Sequence, residues 1–498
     1  MRPTKSDTVW VGIGAVLSGL GGFAFTWAVA RGAGASGAGV VLTLTTWFTM
    51  LFGITKLGMD TTLVREGGRI RAGESLTGPR PLLAWTVGPA VALATVVGVA
   101  AALAAPKVGQ LILPDSPVEL PPLVLTGAIA LPAAVWTVVL LALLRGLGSI
   151  RSFVAVEQIG KPSARTLGAF VLMALGITAA GAYYAVWLIP VWIGAIATAF
   201  LARRVLRHQP GEGVLPVAER KRLWSYAWAR AVSQIVDLVN SSLGTIMLGA
   251  LAGAAAAGHF ATAFRIVVAG QLAFQAVQLL LAPSLAALLA THQIHDADET
   301  FASGASLIVL AAWPIFLVCL IAPEAVLSVF GASFADAAFT LQVLALSGLL
   351  LSVVGTQGSV ILMSGRSSYA LLATASALAV NLTVTLSLVH SLGAVAAALG
   401  WTGGILLEGI LLGFGLRRLG MTPLPRLAIR SAVMTAATLG TGLLVCRLLW
   451  DSHLPVALGA LAVAGVVWLI VALPAGRHSL NLLTHQKSPA VPQLDPAR

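Results

Sequence analysis

Long apolar runs, separated by short polar or Gly/Pro-rich breaks, make up most of this chain. A helix crosses the core of a bilayer with roughly 20 apolar residues. Cutting the chain at its breaks with that length predicts fourteen spans. They cover residues 8–30, 37–57, 81–105, 120–144, 153–179, 183–203, 224–250, 258–290, 302–323, 338–363, 367–389, 393–416, 428–450 and 455–473. The pattern therefore predicts an all-α polytopic membrane protein.

Composition supports a membrane protein and narrows the chemistry. Of 498 residues, 58% are hydrophobic and 10% are charged, which is far from the composition of a soluble domain. The formal charge is +12, but the basic residues lie in short clusters between apolar runs, so no nucleic-acid partner is expected. No nucleotide-binding loop or metal-ligand motif occurs in the sequence. We therefore expect no cofactor, no metal site and no enzymatic activity.

The distribution of Lys and Arg predicts the orientation. Of the 30 basic residues, 25 fall on the side of the predicted spans that holds both termini, three fall on the other side, and two lie within spans. Because cytoplasmic loops carry the excess of Lys and Arg, both termini are predicted to be cytoplasmic. The expected location is the plasma membrane of a bacterium.

Two glycine-containing turns repeat along the chain. The turn from span one into span two contains Gly34 and Gly39. The turn from span seven into span eight contains Gly253 and Gly258, 219 residues later. The offset predicts two six-helix bundles around a central cleft, followed by two extra helices. The predicted divisions are a first bundle at 1–206, a cytoplasmic linker at 207–222, a second bundle at 223–418, two helices at 419–476 and a cytoplasmic tail at 477–498.

Several short motifs resemble those of bacterial polysaccharide flippases in order along the chain. They are Leu223-Trp224-Ser225-Tyr226, the run Gly258 to Ile266, Ala282-Pro283, Val329-Phe330-Gly331, Ser364-Gly365-Arg366 and the run Gly393 to Ala397. These flippases are the O-antigen and capsule-type members of the multidrug/oligosaccharidyl-lipid/polysaccharide exporter superfamily. The resemblance implies two six-helix bundles and transport of a polyprenyl-diphosphate-linked oligosaccharide. The sequence departs from the family at Ala38, where an aromatic residue is usual.

A stripe of polar side chains runs along span seven. A charged side chain inside a membrane costs free energy, so each one there requires a functional or structural explanation. The members of the stripe follow the spacing of one helix face: Arg230, Ser233, Gln234, Asp237 and Ser241. At 100° per residue this face must line a wet cleft or meet another polar helix. The functional interpretation is a substrate-binding face, and the structural one is interhelical hydrogen bonding.

Two arginines flank Asp237 in depth. Arg230 lies about 10 Å toward the cytoplasm, at 1.5 Å per residue, and Arg265 of span eight lies toward the outside. Guanidinium groups stay charged and fork onto phosphate oxygens, so the pair can pass a diphosphate between them. Asp237 is then either a counter-ion to one of the arginines or a site that binds a proton. The structural alternative for Arg265 is that its side chain extends to the membrane interface and binds no substrate.

Further candidates lie on spans eight and twelve. Gln271, Gln275 and Gln278 share a face, where their amides suit either sugar hydroxyls or hydrogen bonds between helices. Glu408 is an intramembrane acid and a candidate proton or cation site, with helix packing as the alternative.

The leading hypothesis is a flippase that moves a polyprenyl-diphosphate-linked glycan from the inner to the outer leaflet for cell-surface polysaccharide biosynthesis. Its expected partners are the lipid-linked glycan, the bilayer, a polysaccharide polymerase and glycosyltransferases. Three alternatives stay open: a lipid II flippase of the same superfamily, a cation-coupled multidrug exporter that uses Asp237 and Glu408, and a membrane scaffold that transports nothing.

Overall fold

The computed structural model describes residues 5–71, 73, 78–116, 120–207, 215–270, 272–354, 356–449 and 454–485. Each predicted span overlaps helical residues. Eleven helices in this described part are long and apolar enough to cross a membrane, and two of them are interrupted by a glycine. The chain is therefore an all-α polytopic membrane protein, as the apolar runs predicted.

The chain forms two compact units. Unit 1 comprises Met1–Arg265, Ser328–Ala337 and Ser387–Ala397, and unit 2 comprises Ile266–Leu327, Ala338–Leu386 and Ala398–Arg498. This division does not follow the bundle boundaries expected from the sequence, which stay a prediction.

Unit 1 is built around one buried helix. Its helices are α1 (Lys5–Thr55), α2 (Met59–Arg71), α3 (Pro79–Leu103), α4 (Ala105–Ile112), α5 (Leu120–Gly146), α6 (Ile150–Phe153), α7 (Lys161–Ala174), α8 (Ala180–Leu206) and the part of α9 (Val217–Gly270) that ends at Arg265. Helix α5 packs against α1, α2, α3 and α8. Its Leu131 and Leu141 are fully buried, as are Tyr183 and Tyr184 of α8, because α5 is apolar on every side.

Two glycines break the long helices α1 and α9. Gly34 has φ 69° and ψ −176°, and Gly253 has φ 85° and ψ 172°. Residues with a side chain rarely adopt a positive φ, and glycine adopts it at little cost. Each break separates two predicted spans, and the two positions are 219 residues apart, as the turn repeat predicted.

The helix turns after these breaks pack against each other reciprocally. A Cβ atom on Gly39 would lie 1.7 Å from the carbonyl oxygen of Ala254, and one on Gly258 would lie 2.2 Å from that of Ala35. Ala35 and Ala254, like Gly39 and Gly258, occupy equivalent positions of the repeat. The contact is thus related by an approximate twofold symmetry, and glycine is needed at both places because the backbones touch.

Unit 2 is organised around α11. Its helices are α10 (Leu272–Ala290), α11 (Ile294–Ile321), most of α12 (Pro323–Ser328), α13 (Ala338–Val354), α14 (Gln357–Met363), most of α15 (Ser367–Leu392) and α16 (Ala394–Arg417), and α17 (Arg426–Thr435), α18 (Thr441–Leu449) and α19 (Leu454–His485). Helix α11 contacts α10, α13, α17 and α19. Ser306 Oγ of α11 lies 2.8 Å from Ser431 Oγ of α17 and 3.5 Å from Ser479 Oγ of α19. The C-terminal helices are therefore joined to α11 by buried hydroxyl groups.

Candidate functional site

Unit 1 contains a cavity of about 280 Å³ that two arginine side chains line. We call it the arginine cavity. Its walls come from α1, α7, α8 and α9, and the lining residues are Ser18, Gly21, Gly22, Phe25, Thr26, Leu42, Thr45, Thr49, Pro162, Arg165, Trp187 and Arg265. This described lining includes no acidic side chain. A cavity with two fixed positive charges and hydroxyl groups suits an anion.

Arg165 is oriented by Trp187. Its Nε donates a hydrogen bond to the backbone oxygen of Trp187 at 3.0 Å, and its Cζ lies 4.0 Å from the centroid of the indole ring. The indole in turn packs edge-on against Phe48 and parallel to Tyr184, with centroids 5.2 and 6.3 Å apart. Among the described residues no partner takes the two terminal nitrogens of Arg165. The orientation of the Arg165 guanidinium group is therefore fixed, and its two terminal nitrogens can donate hydrogen bonds to a ligand.

The helix that carries Arg165 has an irregular start. A π-helical turn at Val154–Gly160 lies between α6 and α7, and such turns shift the face that the following residues present. Within this turn Glu157 forms an ion pair with Lys161, whose side chain is buried. Further along, Thr166 Oγ1 donates to the backbone oxygen of Gly21 at 2.8 Å. Helix α7 is thus held to α1 beside the arginine.

Arg265 supplies the second charge of the arginine cavity. Its side chain is exposed in the cavity, and no described side chain forms an ion pair or hydrogen bond with it. Two guanidinium groups that line one cavity favour a negatively charged ligand there.

A second cavity of about 320 Å³ in unit 1 carries acidic and amide groups, and we call it the aspartate cavity. It is lined by Thr49, Phe52, Gly53, Lys56, Gln234, Asp237, Leu238 and Ser241. Thr49 lines both cavities, so they adjoin at this residue. Lys56 forms an ion pair with Asp60 at 2.8 Å. The Oε1 atom of Gln234 is buried and has no hydrogen-bond partner in the described part of the chain.

The structure separates the predicted stripe of α9. Gln234, Asp237 and Ser241 lie together in the aspartate cavity, whereas Arg230 lines neither cavity and is exposed. Among the described residues, no ion pair within 4.0 Å joins Asp237 to Arg230 or to Arg265. The role of Asp237 as a counter-ion stays a prediction. A seven-residue separation is about 10 Å along a helix, and one face of α9 therefore passes through different surroundings.

The candidates of unit 2 have other neighbours. Gln278 donates from Nε2 to Ser359 Oγ at 2.6 Å, which joins α10 to α14. Gln271 lies outside the described residues, as does the side chain of Gln275. Glu408 accepts a hydrogen bond from Thr374 Oγ1 at 2.7 Å and is half-buried between α15 and α16.

Sequence reasoning missed Arg165, Lys56 and Trp187. Arg165 lies twelve positions inside the predicted span 153–179. That is about 18 Å along a helix, and the same cost argument that singled out Arg230 applies to it. Lys56 forms an ion pair with Asp60 and also lines the aspartate cavity. Nothing local in the sequence marks Trp187.

Solved structures with this fold are membrane transporters. A multidrug resistance MATE family transporter of the MOP superfamily, in an inward-facing conformation, is similar at 14% identity with a TM-score of 0.63, over 83% of this chain and 98% of that one. The lipid II flippase MurJ, in an inward closed conformation, is similar at 11% identity with a TM-score of 0.69, over 96% of this chain and 100% of that one. A MOP superfamily transporter from Pyrococcus furiosus matches at 13% identity with a TM-score of 0.52, over 83% and 95% of the two chains. At these identities the likeness establishes the fold, which is that of MOP superfamily transporters.

The family is established by sequence. Residues 5–289 match the family described as polysaccharide biosynthesis protein, which is more than half of the 498 residues. The chain belongs to this family, which confirms the family that the sequence motifs indicated. No curated protein matches the sequence closely enough to narrow the assignment.

Proposed function

We propose that this protein is a flippase that moves a polyprenyl-diphosphate-linked oligosaccharide from the inner to the outer leaflet of a bacterial plasma membrane. The observation that carries the proposal is the arginine cavity, where two arginines face one space that no described acidic side chain lines. A diphosphate presents several oxygens to two forks at once, and charge-assisted hydrogen bonds of this kind are about twice as strong as neutral ones.

The adjoining aspartate cavity suits the sugar next to the diphosphate. Hydroxyl groups of a saccharide both donate and accept hydrogen bonds, and Gln234, Asp237 and Ser241 offer acceptors and donors of matching kind. Thr49, at the junction of the two cavities, would lie where the diphosphate meets the first sugar. Cavities of about 280 and 320 Å³ are of the size that holds a small ligand group. We therefore assign the diphosphate and the first sugar, and not a long glycan, to this part of unit 1.

The test is translocation in reconstituted vesicles. A fluorescent polyprenyl-diphosphate-linked oligosaccharide is placed in the bilayer, and its movement is followed with a quencher that cannot cross the membrane. Headgroup affinity is measured with the same lipid and protein in nanodiscs. Arg265→Gln should weaken this affinity about 10- to 150-fold and slow translocation, since a hydrogen bond to a charged group contributes about 1.5–3 kcal/mol.

Arg230→Gln is the matched control on the same helix. It removes the same charge from a side chain that lines neither cavity, so binding should stay within about twofold of the wild type. If instead Arg230→Gln abolishes binding and Arg265→Gln does not, the diphosphate site lies on the α9 stripe that the sequence predicted, and not in the arginine cavity.

A cation-coupled multidrug exporter is the second candidate, because Asp237 is exposed in the aspartate cavity. A cationic drug would need that carboxylate and would be repelled by Arg165 and Arg265. Accumulation of a lipophilic cation in the same vesicles, with no movement of the diphosphate lipid, would favour the exporter. Movement of lipid II in place of the oligosaccharide lipid would keep the diphosphate site and change the headgroup.

A further inference from the structure

A groove of about 400 Å³ lies on unit 1 between α3, α5 and α8, and we call it the α3/α8 groove. Its lining residues are Arg80, Leu83, Trp136, Leu140, Ala199, Ala202, Arg203, Leu206 and Arg207. It shares none of them with the arginine cavity or the aspartate cavity. The α3/α8 groove is therefore separate from the proposed transport site.

Three arginines form the polar end of the α3/α8 groove. Arg80 lies in the first turn of α3 and Arg203 in the last turn of α8. Arg207 is the first residue after the end of α8. All three side chains are exposed, and the described lining contains no acidic residue to neutralise them. Three guanidinium groups from two helix ends line one groove, and such a set of donors suits a phosphate group.

The rest of the α3/α8 groove is apolar. Leu140 and Ala202 belong to the buried core of unit 1 and form its floor, and Trp136 is 37% exposed beside them. Helix α8 also exposes Ile193, 59% accessible, and Phe200, 65% accessible. In a membrane-spanning helix such a face points to lipid, so the groove opens toward the bilayer.

We propose that the α3/α8 groove binds an anionic phospholipid, with its phosphate on the three arginines and an acyl chain along Trp136 and Leu140. A cationic pocket between transmembrane helices at the predicted cytoplasmic face is the arrangement that binds anionic lipid headgroups. The apolar side chains of the floor would contact an acyl chain, and they would contribute nothing to the binding of a free inorganic anion. This inference is independent of the proposed cargo.

The test is native mass spectrometry of the delipidated full-length protein, titrated with phosphatidylglycerol or phosphatidylcholine. The wild type should retain phosphatidylglycerol in preference to phosphatidylcholine. Each arginine near a lipid headgroup contributes about fivefold to affinity, so Arg207→Gln should weaken binding about fivefold and the triple variant of Arg80, Arg203 and Arg207 about one hundredfold. Inorganic phosphate at millimolar concentration should not displace the lipid.

Two matched controls come from the same helix and the same unit. Arg204→Gln removes a neighbouring charge that does not line the groove, and it should leave phosphatidylglycerol binding unchanged. Trp136→Ala should weaken binding several-fold, whereas Trp192→Ala, which alters an apolar groove without arginines, should not.

Four outcomes would overturn the proposal. These are equal binding by Arg207→Gln and the wild type, an equal loss in Arg204→Gln, displacement of the lipid by inorganic phosphate, and retention of phosphatidylcholine as strong as that of phosphatidylglycerol. The single variant Arg207→Gln keeps the test valid if the triple variant does not fold.

Discussion

Replacement of Arg165 tests whether an oriented guanidinium, and not only a positive charge, holds the substrate. Arg165→Gln removes the charge and the fork from the arginine cavity. A hydrogen bond to a charged group contributes about 1.5–3 kcal/mol, so headgroup affinity should fall about 10- to 150-fold. Arg165→Lys keeps the charge but loses the Nε hydrogen bond to the Trp187 oxygen and the stacking on its ring, which lie at 3.0 and 4.0 Å.

The lysine variant should therefore be intermediate. A cation stacked on an indole contributes about 0.5–2 kcal/mol, and losing that orientation should weaken binding about 2- to 30-fold. Trp187→Leu, which leaves Arg165 in place, should approach the lysine variant, because the arginine then lacks its ring support. Affinity for the diphosphate lipid is measured on purified protein in nanodiscs, and translocation is measured in vesicles from the same preparations.

Arg151→Gln is the control, since Arg151 lies on the preceding helix α6 and lines neither cavity. It should bind and translocate as the wild type does. Wild-type affinity in Arg165→Gln, at equal protein level and thermal stability, would refute a role of the arginine cavity in holding the diphosphate. Equal affinity of the lysine variant and the wild type would show that charge alone is sufficient and that Trp187 does not position the fork.

Three further predictions concern stability and the carboxylate of α9. Gly39→Ala places a Cβ atom 1.7 Å from a backbone oxygen. This overpacking should lower the free energy of unfolding by about 1–3 kcal/mol and lower the melting temperature in detergent. Gly88→Ala is the control, because a Cβ atom there lies in open space on α3 and should not change the melting temperature. Glu157→Ala should destabilise the protein by about 3 kcal/mol, because it leaves the buried Lys161 unpaired, and a second change of Lys161 to Met should recover most of the loss in the same melting assay. Asp237→Asn should tighten headgroup binding and slow turnover in vesicles, because the neutral amide no longer repels the diphosphate.

Each of these predictions has a clear contrary result. Equal melting temperatures of Gly39→Ala and Gly88→Ala would mean that the backbone at Gly39 is not tightly packed against Ala254. No recovery in the Glu157 and Lys161 double variant would mean that the pair does not act as a unit. Weaker binding of the diphosphate lipid by Asp237→Asn, with loss of cation transport, would favour the exporter.

The sequence by itself determined the fold class. Apolar runs of membrane-crossing length lie where the structure has helices, because the number of residues that cross a bilayer is a local property of the chain. It also located the breaks at Gly34 and Gly253, since a conformation with positive φ is a demand on one residue and leaves a glycine in the sequence. The equivalence of the two turns is visible in the sequence as a constant offset of 219 residues.

Periodicity also determined part of the site. The spacing of Gln234, Asp237 and Ser241 predicted one face of α9, and these three side chains do line one cavity. Arg230 obeys the same spacing and lies outside it. The spacing of residues along a helix gives their angle about the helix axis. It therefore predicts which side chains point in one direction, but it does not predict how far along the axis a cavity extends.

Only the tertiary structure decided which charges meet. Arg165 and Arg265 are one hundred positions apart and line the same cavity, and Lys56 shares another with Asp237. No pattern within a single helix specifies its neighbour, because apolar faces that must all be buried can pair in many ways. The choice depends on the close approach of backbones at Gly39 and Gly258 and on the packing of Trp187, which are properties of the assembled helices.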